Sequence, residues 1–342
     1  MSGMTTEDEV AEWLKARATP LNGLEPGAGT ADLAPLRVAL DGVRVVGLGE
    51  ATHGSREFFL IRHRLLEFLV EELGFTTLAV EASASASRAV DDYMQGGSGD
   101  PVEALAGKRL GVGPPLDRRI DADARRVEDF LTGVSTPDEA AAHARIVRQS
   151  ADLASRPLRH PDPAQTVSVA RDRYLADNVD LLLADPDARV AVWAHNGHIM
   201  KGGHSGGSVT AMGRHLRQRH GEAYYALGVF FGAGRFRARR RRFGKVDPAT
   251  PPVTFRVPLV RRPTIVEARL ATAHPGEHVI DLRSGPRPES VTRWLGEPLH
   301  MRGYGGAVAR RFTYKLGYMP TVLAEHFDGI AFVPETTAST PL

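Results

Sequence analysis

A carboxylate and an imidazole three positions apart, Glu50 and His53, lie in the stretch Val45-Val46-Gly47-Leu48-Gly49-Glu50-Ala51-Thr52-His53-Gly54. Imidazole titrates near neutrality, and a partner carboxylate fixes its tautomer and raises its basicity, so the pair is suited to moving a proton. Glu81 closes a second apolar run that starts at Thr76, and His195 and His198 follow a third, Arg189 to Ala194. A lone histidine of this kind is most often a hydrogen-bonded structural residue. Here ionisable groups follow three separate β-branched runs, and that coincidence favours general acid–base chemistry.

Those runs read as strands, and the pattern between them says how they are joined. After His53 a helical pattern carries Phe58, Phe59, Ile61, Leu65, Leu66, Phe68 and Leu69 on one broad face and stops at Gly74, a natural residue just past a helix end. Strand, helix, strand is a βαβ unit with a right-handed parallel crossover. In an open parallel sheet, groups at the carboxyl ends of different strands converge. The fold expected is therefore α/β, a mainly parallel central sheet flanked by helices, with strands near 44–48, 76–81 and 189–194. Helices are predicted at 122–133, 138–154, 164–183 and 209–219, and further strands at 224–230, 278–282 and 329–333. Residues 96–120 are rich in Gly and Pro and read as a loop. No repeat or linker breaks the chain, so one domain over 1–342 is expected, with 96–165 as a loop-rich and helical insertion.

Composition narrows the function classes. The chain has 342 residues, 42% of them hydrophobic, no cysteine and a formal charge of +2. Without cysteine there is no disulfide, thiol nucleophile or thiolate metal site. No apolar run approaches the roughly 20 residues that span a bilayer, and the first residues lack a signal-peptide core. A cytoplasmic protein with no membrane partner is expected. Arg235 to Arg242 is the strongest charge run; with so small a total charge and no nucleic-acid module, it reads as a solvated loop rather than a nucleic-acid site. No Walker sequence is present and no Gly-x-Gly-x-x-Gly lies between strand and helix, so no nucleotide cofactor is expected. Gly203-His204-Ser205-Gly206-Gly207 fits a nucleophile elbow literally, but the preceding strand ends near Ala194, too early for an elbow. Ser205 is read as a pocket-lining residue.

Gly49-Glu50-Ala51-Thr52-His53-Gly54 with Glu57-Phe58 resembles the signature of the erythromycin esterase-like family. Ala79-Val80-Glu81-Ala82, Arg171-Asp172-Arg173, Trp193-Ala194-His195-Asn196-Gly197-His198 and Val279-Ile280-Asp281-Leu282-Arg283 resemble further family blocks in the same order. The resemblance implies a metal-independent hydrolase, with no cofactor, that opens an ester or a lactone such as a macrolide. His53 matches the family's proposed general base. Glu50 and Glu81 match pocket carboxylates, Arg62 a pocket arginine able to steady an oxyanion, and His195 or His198 the second functional histidine. Arg171, Asn196 and Ser205 are expected to touch a small-molecule substrate. One departure bears on that substrate: the stretch between Glu81 and Arg171 lacks the additional core strand of family members, so the wall of a macrolide cleft is shortened or rebuilt. A biosynthetic tailoring role stands beside antibiotic inactivation. Two competing readings use the same residues. His-x-x-His and Glu-x-x-His can ligate a metal in a metal-dependent hydrolase, and the cleft can serve a non-catalytic binding protein. Oligomeric state carries no signal in the sequence.

Overall fold

Val45 to Leu48 has no polar position, a pattern that only a strand covered on both faces tolerates, and all four residues are buried. The computed structural model describes residues 5–82, 90, 92–97, 100, 118–133, 138–204, 207–242, 245–246, 250–309 and 317–340. Its elements in chain order begin with α1 (Thr6–Arg17), β1 (Thr19–Pro20), α2 (Leu36–Ala39), β2 (Val45–Leu48), α3 (Arg56–Leu73) and β3 (Thr77–Val80). Then come α4 (Arg118–Gly133), α5 (Asp138–Ser155), α6 (Val167–Leu182), β4 (Val190–Trp193), α7 (Asn196–Ile199), β5 (Gly203–His204), β6 (Val209–Thr210) and α8 (Met212–His220). The remainder is β7 (Tyr224–Arg242), β8 (Lys245–Val246), β9 (Val253–Val257), α9 (Val266–Ala273), β10 (His278–Asp281) and α10 (Glu289–Gly296), then β11 (Leu299–Arg302), β12 (Ala307–Ala309), β13 (Tyr318–Thr321), α11 (Leu323–His326) and β14 (Gly329–Thr336).

The chain divides into two compact units, Met1–Glu81 with Ala176–Pro341, and Ala82–Leu175. The first carries the main sheet, in the order β1-β10-β14-β7-β2-β4-β3. The four pairings from β14 to β3 are parallel; β10 and β1 close the other edge antiparallel. The three expected strands therefore lie side by side, and the sheet is mainly parallel as anticipated. Helix α3 ends at Gly74, whose φ of 67° is the left-handed conformation that side chains disfavour. Its buried face, Phe58, Ile61, Leu65, Phe68 and Leu69, packs in one cluster with Val46, Leu48, Leu227, Val229 and Phe231. Each such side chain contributes roughly 1.5–3 kcal/mol by leaving water. That packing fixes α3, and with it Arg62, over the strand ends.

Two expectations are corrected. The strand foreseen at 224–230 continues to Arg242, so the arginine run is sheet and not a solvated loop. The cause is alternation: Phe236 and Ala238 are buried, and the Phe236 ring stacks on Tyr304 at 4.7 Å. Two apolar positions among so many arginines leave little periodic signal, but they suffice to seat the strand beside β9. The helix foreseen from 209 starts at Met212, because Val209 and Thr210 pair with Gly203 and His204 as a short antiparallel ladder.

In the second unit, α4 and α5 pack on each other and α5 is tied to the middle of α6. Asp152 accepts from Tyr174 Oη at 2.7 Å and Arg156 Nε at 2.6 Å. Among its described residues there is no strand, and the predicted Gly/Pro-rich loop lies mostly outside the described residues. No described helix is long and apolar enough to cross a membrane.

Candidate active site

The site is built where β2 and β4 stop. Gly49 N–H donates to Leu227 O at 2.9 Å, carrying the β2–β7 ladder one residue past Leu48. Asn196 then takes the place that another residue of β2 would fill. Its Nδ2 donates to Val229 O at 2.9 Å and its Oδ1 accepts Val229 N–H at 3.1 Å, imitating a strand neighbour of β7. Its own N–H donates to Glu50 O at 2.8 Å. A Cβ at position 49 would lie 2.0 Å from Asn196 Oδ1, so glycine is required there. Asn196 was expected to touch substrate. Fully buried, with both amide atoms committed to the backbone, it is a clamp that joins three strands.

Glu50 is the centre of the constellation. Its Oε1 lies 2.6 Å from His53 Nδ1, and its Oε2 accepts from Arg62 Nη2 at 2.5 Å. A carboxylate can only accept, so the bond places the His53 proton on Nδ1 and leaves Nε2 with a free lone pair. Burial pushes the Glu50 carboxyl up, but Arg62 and His53 outweigh it and hold it below the ordinary carboxylate range. Burial pulls His53 down, yet the bond to Glu50 and the charges of Glu50 and Glu81 raise it above its usual value. Arg62 is fully buried, its Nε on Phe58 O at 3.0 Å and its guanidinium 3.8 Å above the Trp193 ring. Burial lowers it to about 10, so it remains a cation at neutral pH. The His53 side chain is 39% exposed, the opening in an otherwise buried group.

His195 meets His53 with ring centroids 5.3 Å apart. Its Nδ1 accepts Gly197 N–H at 3.0 Å, capping α7, so the neutral ring carries its proton on Nε2. Burial, then the neighbouring His53 and His198, lower it to about 4, which keeps it neutral. The two rings therefore hold opposite tautomers: one offers a lone pair at Nε2, the other a proton. Among the described residues neither His195 Nε2 nor Arg62 Nη1 has a hydrogen-bond partner, although both atoms are buried. Glu81 joins the group through His195 N–H, 2.9 Å from its Oε2, and His198 Nε2, 3.2 Å from its Oε1.

Glu50, His53, Arg62, Glu81, His195 and His198 are thus brought together. Arg171 lies on α6 within the second unit, and Ser205 lies outside the described residues. Sequence reasoning missed Trp193 as the platform under Arg62; an aromatic at the last position of a buried strand was the available signal. It also missed the seat of the turn after His53. Glu57 accepts Thr337 N–H and Oγ1–H, both at 2.6 Å, and Ser339 N–H donates to Gly54 O at 3.0 Å. The contact spans nearly the whole chain and has no local signature.

A parallel α/β sheet with a Glu/His/Arg cluster on its rim defines the class, and comparison with known proteins narrows it. The succinoglycan biosynthesis protein whose crystal structure is known superposes with a TM-score of 0.80 at 22% identity, over 99% of both chains. A mutant of erythromycin esterase EreC in its open conformation gives 0.69 at 18% identity, over 95% of this chain and 98% of that one. At such identity these neighbours show the fold alone. The sequence matches the erythromycin esterase family over residues 115–336, and the chain belongs to that family. The matched span contains His195 and His198; Glu50 and His53 precede it. Erythromycin esterase type II of Escherichia coli is 39% identical over 92 residues, 27% of this chain and 22% of that protein. Putative hydrolase YbfO of Bacillus subtilis (strain 168) is 40% identical over 70 residues, 20% and 15% of the two chains. These alignments cover less than a quarter of either relative.

Proposed function

We propose that this chain is a hydrolase of an ester or lactone bond in a small molecule, with His53 as general base and no metal or cofactor. The observation that carries this reading is one buried carboxylate, Glu50, that holds His53 at 2.6 Å with one oxygen and the buried Arg62 with the other. The pair fixes the base's tautomer, and Arg62 keeps Glu50 ionised, which keeps His53 basic.

In the proposed reaction, His53 Nε2 takes a proton from water as the water oxygen bonds to the acyl carbon. The carbonyl π pair moves onto its oxygen, and the neutral His195 Nε2–H donates to that oxyanion; an imidazole held neutral is a donor that does not lose its proton in the step. Glu50 steadies the imidazolium. Collapse re-forms the carbonyl and breaks the C–O bond, and the alkoxide takes the proton from His53. Water enters where His53 is exposed.

The names of the relatives span an erythromycin esterase and a succinoglycan biosynthesis protein, so the substrate class proposed is a natural-product or glycan ester, macrolide lactones included. Screening purified protein against such esters, with the His53→Ala variant alongside, tests the reading. Turnover lost with His53 while substrate still binds is the result expected; turnover that survives His53→Ala, or binding of every candidate without turnover, overturns it.

A further inference from the structure

Most glycines of this chain have a conformational or a steric reason to be glycine. Of those whose surroundings the structure describes, all but three either adopt a positive φ or would press a Cβ to 3.3 Å or closer against a neighbouring atom. The exceptions are Gly296, at the last position of α10, and the adjacent pair Gly305 and Gly306. A Cβ on Gly305 would meet nothing within 4 Å, and one on Gly306 only His53 Cδ2 at 3.9 Å. Both residues of the pair are exposed. Glycine loses more freedom on folding than any other residue. Two in a row, with room for side chains, are a burden that the backbone itself does not require.

Flexibility does not account for the pair either, because it is pinned at both ends. Just before it, Tyr304 N–H donates to Ala51 O at 2.7 Å, and Arg239 N–H donates to Gly306 O at 2.8 Å. Tyr304 is buried with its ring stacked on Phe236, and β12 starts at Ala307 in its ladder with β7. The pair is thereby held against the turn that carries His53. Cδ2 is the carbon bonded to Nε2, the nitrogen whose lone pair the bond to Glu50 leaves free. A side chain at 306 would take up space beside the atom that moves the proton. Gly306 and the His53 side chain both reach solvent there.

Bare backbone is what a chain presents where a ligand must approach it closely. We propose that Gly305 and Gly306 determine specificity, as a floor beside His53 on which a ring attached to the scissile ester lies flat. Water alone would need no such floor. An alanine Cβ at 3.9 Å from Cδ2 is in ordinary van der Waals contact and would still admit it. Two consecutive bare residues, their Cα atoms about 3.8 Å apart, clear room for more than a single methyl group, and a flat ring rests on peptide planes without meeting a Cβ. The substrate class is a ring-bearing ester, and small aliphatic esters leave the floor empty.

The word ester rests on the hydrolase reading; occupation by a ring does not, and the test separates them. Wild type, Gly305→Ala, Gly306→Ala and Gly306→Val are compared as full chains on ethyl acetate, methyl benzoate and phenyl acetate, the last two with a ring on the acyl and on the alcohol side. Gly306→Val should lower kcat/KM about tenfold or more further on one ring ester than on ethyl acetate, and that ester tells on which side the ring lies. Both alanine variants should melt at or above the wild type, since neither position needs glycine for its backbone. In a second arm the His53 Cδ2–H resonance is followed by NMR during titration with benzamide and acetanilide, the amide counterparts of the two ring esters, and with acetamide as control. One ring amide should shift that resonance, acetamide should not, and Gly306→Val should weaken the shift. Equal losses on all three esters, alanine variants that melt below the wild type, or no shift with either ring amide would each overturn the proposal. A ring-amide shift that Gly306→Val abolishes, with no ester turned over by the wild type, would overturn the hydrolase reading and leave the ring floor standing.

Discussion

Two buried carboxylates, Glu50 and Asp328, are surrounded in different ways. Asp328 Oδ1 accepts from Lys201 Nζ at 2.7 Å and Arg283 Nε at 2.8 Å, and its Oδ2 from Ala226 N–H at 2.9 Å. Burial pushes it up and these donors bring it below the ordinary range, as Arg62 and His53 do for Glu50. Yet the Asp328 group closes on itself, joining β14, β7 and the segment after β10 with two cations on one carboxylate. The Glu50 group stays open: His53 reaches solvent, and Arg62 Nη1 and His195 Nε2 have no hydrogen-bond partner among the described residues. A buried donor left without an acceptor costs about 1–3 kcal/mol. Under the proposed mechanism the unmet His195 Nε2–H is the donor to the oxyanion, whereas both oxygens of Asp328 are already committed. Charge and burial do not tell the two carboxylates apart; what differs is the part-exposed imidazole beside Glu50.

The contrast breaks if substitutions at the two centres act alike. His53→Gln should lower kcat by about 10²–10⁴-fold, with little change in melting temperature because the side chain is part-exposed. Asp328→Asn should do the reverse, costing about 3–5 kcal/mol of stability because Lys201 and Arg283 lose their counter-charge, with kcat per folded molecule retained. The sign of its pH dependence follows from the depressed carboxyl. Asp328 adds stability above the unfolded value of about 4, and that stability is lost as pH falls through the lower folded value. Denaturant titrations of wild type and Asp328→Asn should therefore converge in acid.

Smaller effects sharpen the comparison. Glu50→Gln removes the charge that raises His53, so the acid limb of the pH–rate profile should move to lower pH while kcat falls by about one to two orders of magnitude. An unmoved limb would show that Glu50 is not its cause. Added chelator should leave turnover unchanged; loss restored by a divalent metal would favour the metal-dependent reading. Thr52→Val is the mildest change. The buried Thr52 Oγ1 has no partner among the described residues, so its removal should raise the melting temperature slightly, by an amount a thermal scan resolves.

The strands under the site were legible because burial on both faces leaves an unbroken apolar run: Val45 to Leu48 and Val190 to Trp193 could not be mistaken. The rim residues followed, since parallel strands place Glu50, Glu81 and His195 at one end. Arg62 came from family resemblance alone; nothing about an arginine within an amphipathic helix tells that it will be buried on Trp193. Asn196 was misread because its role is set by Val229, 33 residues away. The Asp328 group was invisible for the same reason, its cations lying 127 and 45 residues distant. The arginine strand failed differently, its two buried positions drowned by the charges between them.

The central claim is that His53 is the basic member of the histidine pair and His195 the neutral donor. An NMR titration of both imidazoles in one sample tests it without a substrate. His53 should titrate above the free value of about 6.5, and His195 should stay neutral until the pH nears about 4. If instead His195 takes up its proton near neutrality and His53 only in acid, the roles are reversed and the proposed mechanism is wrong.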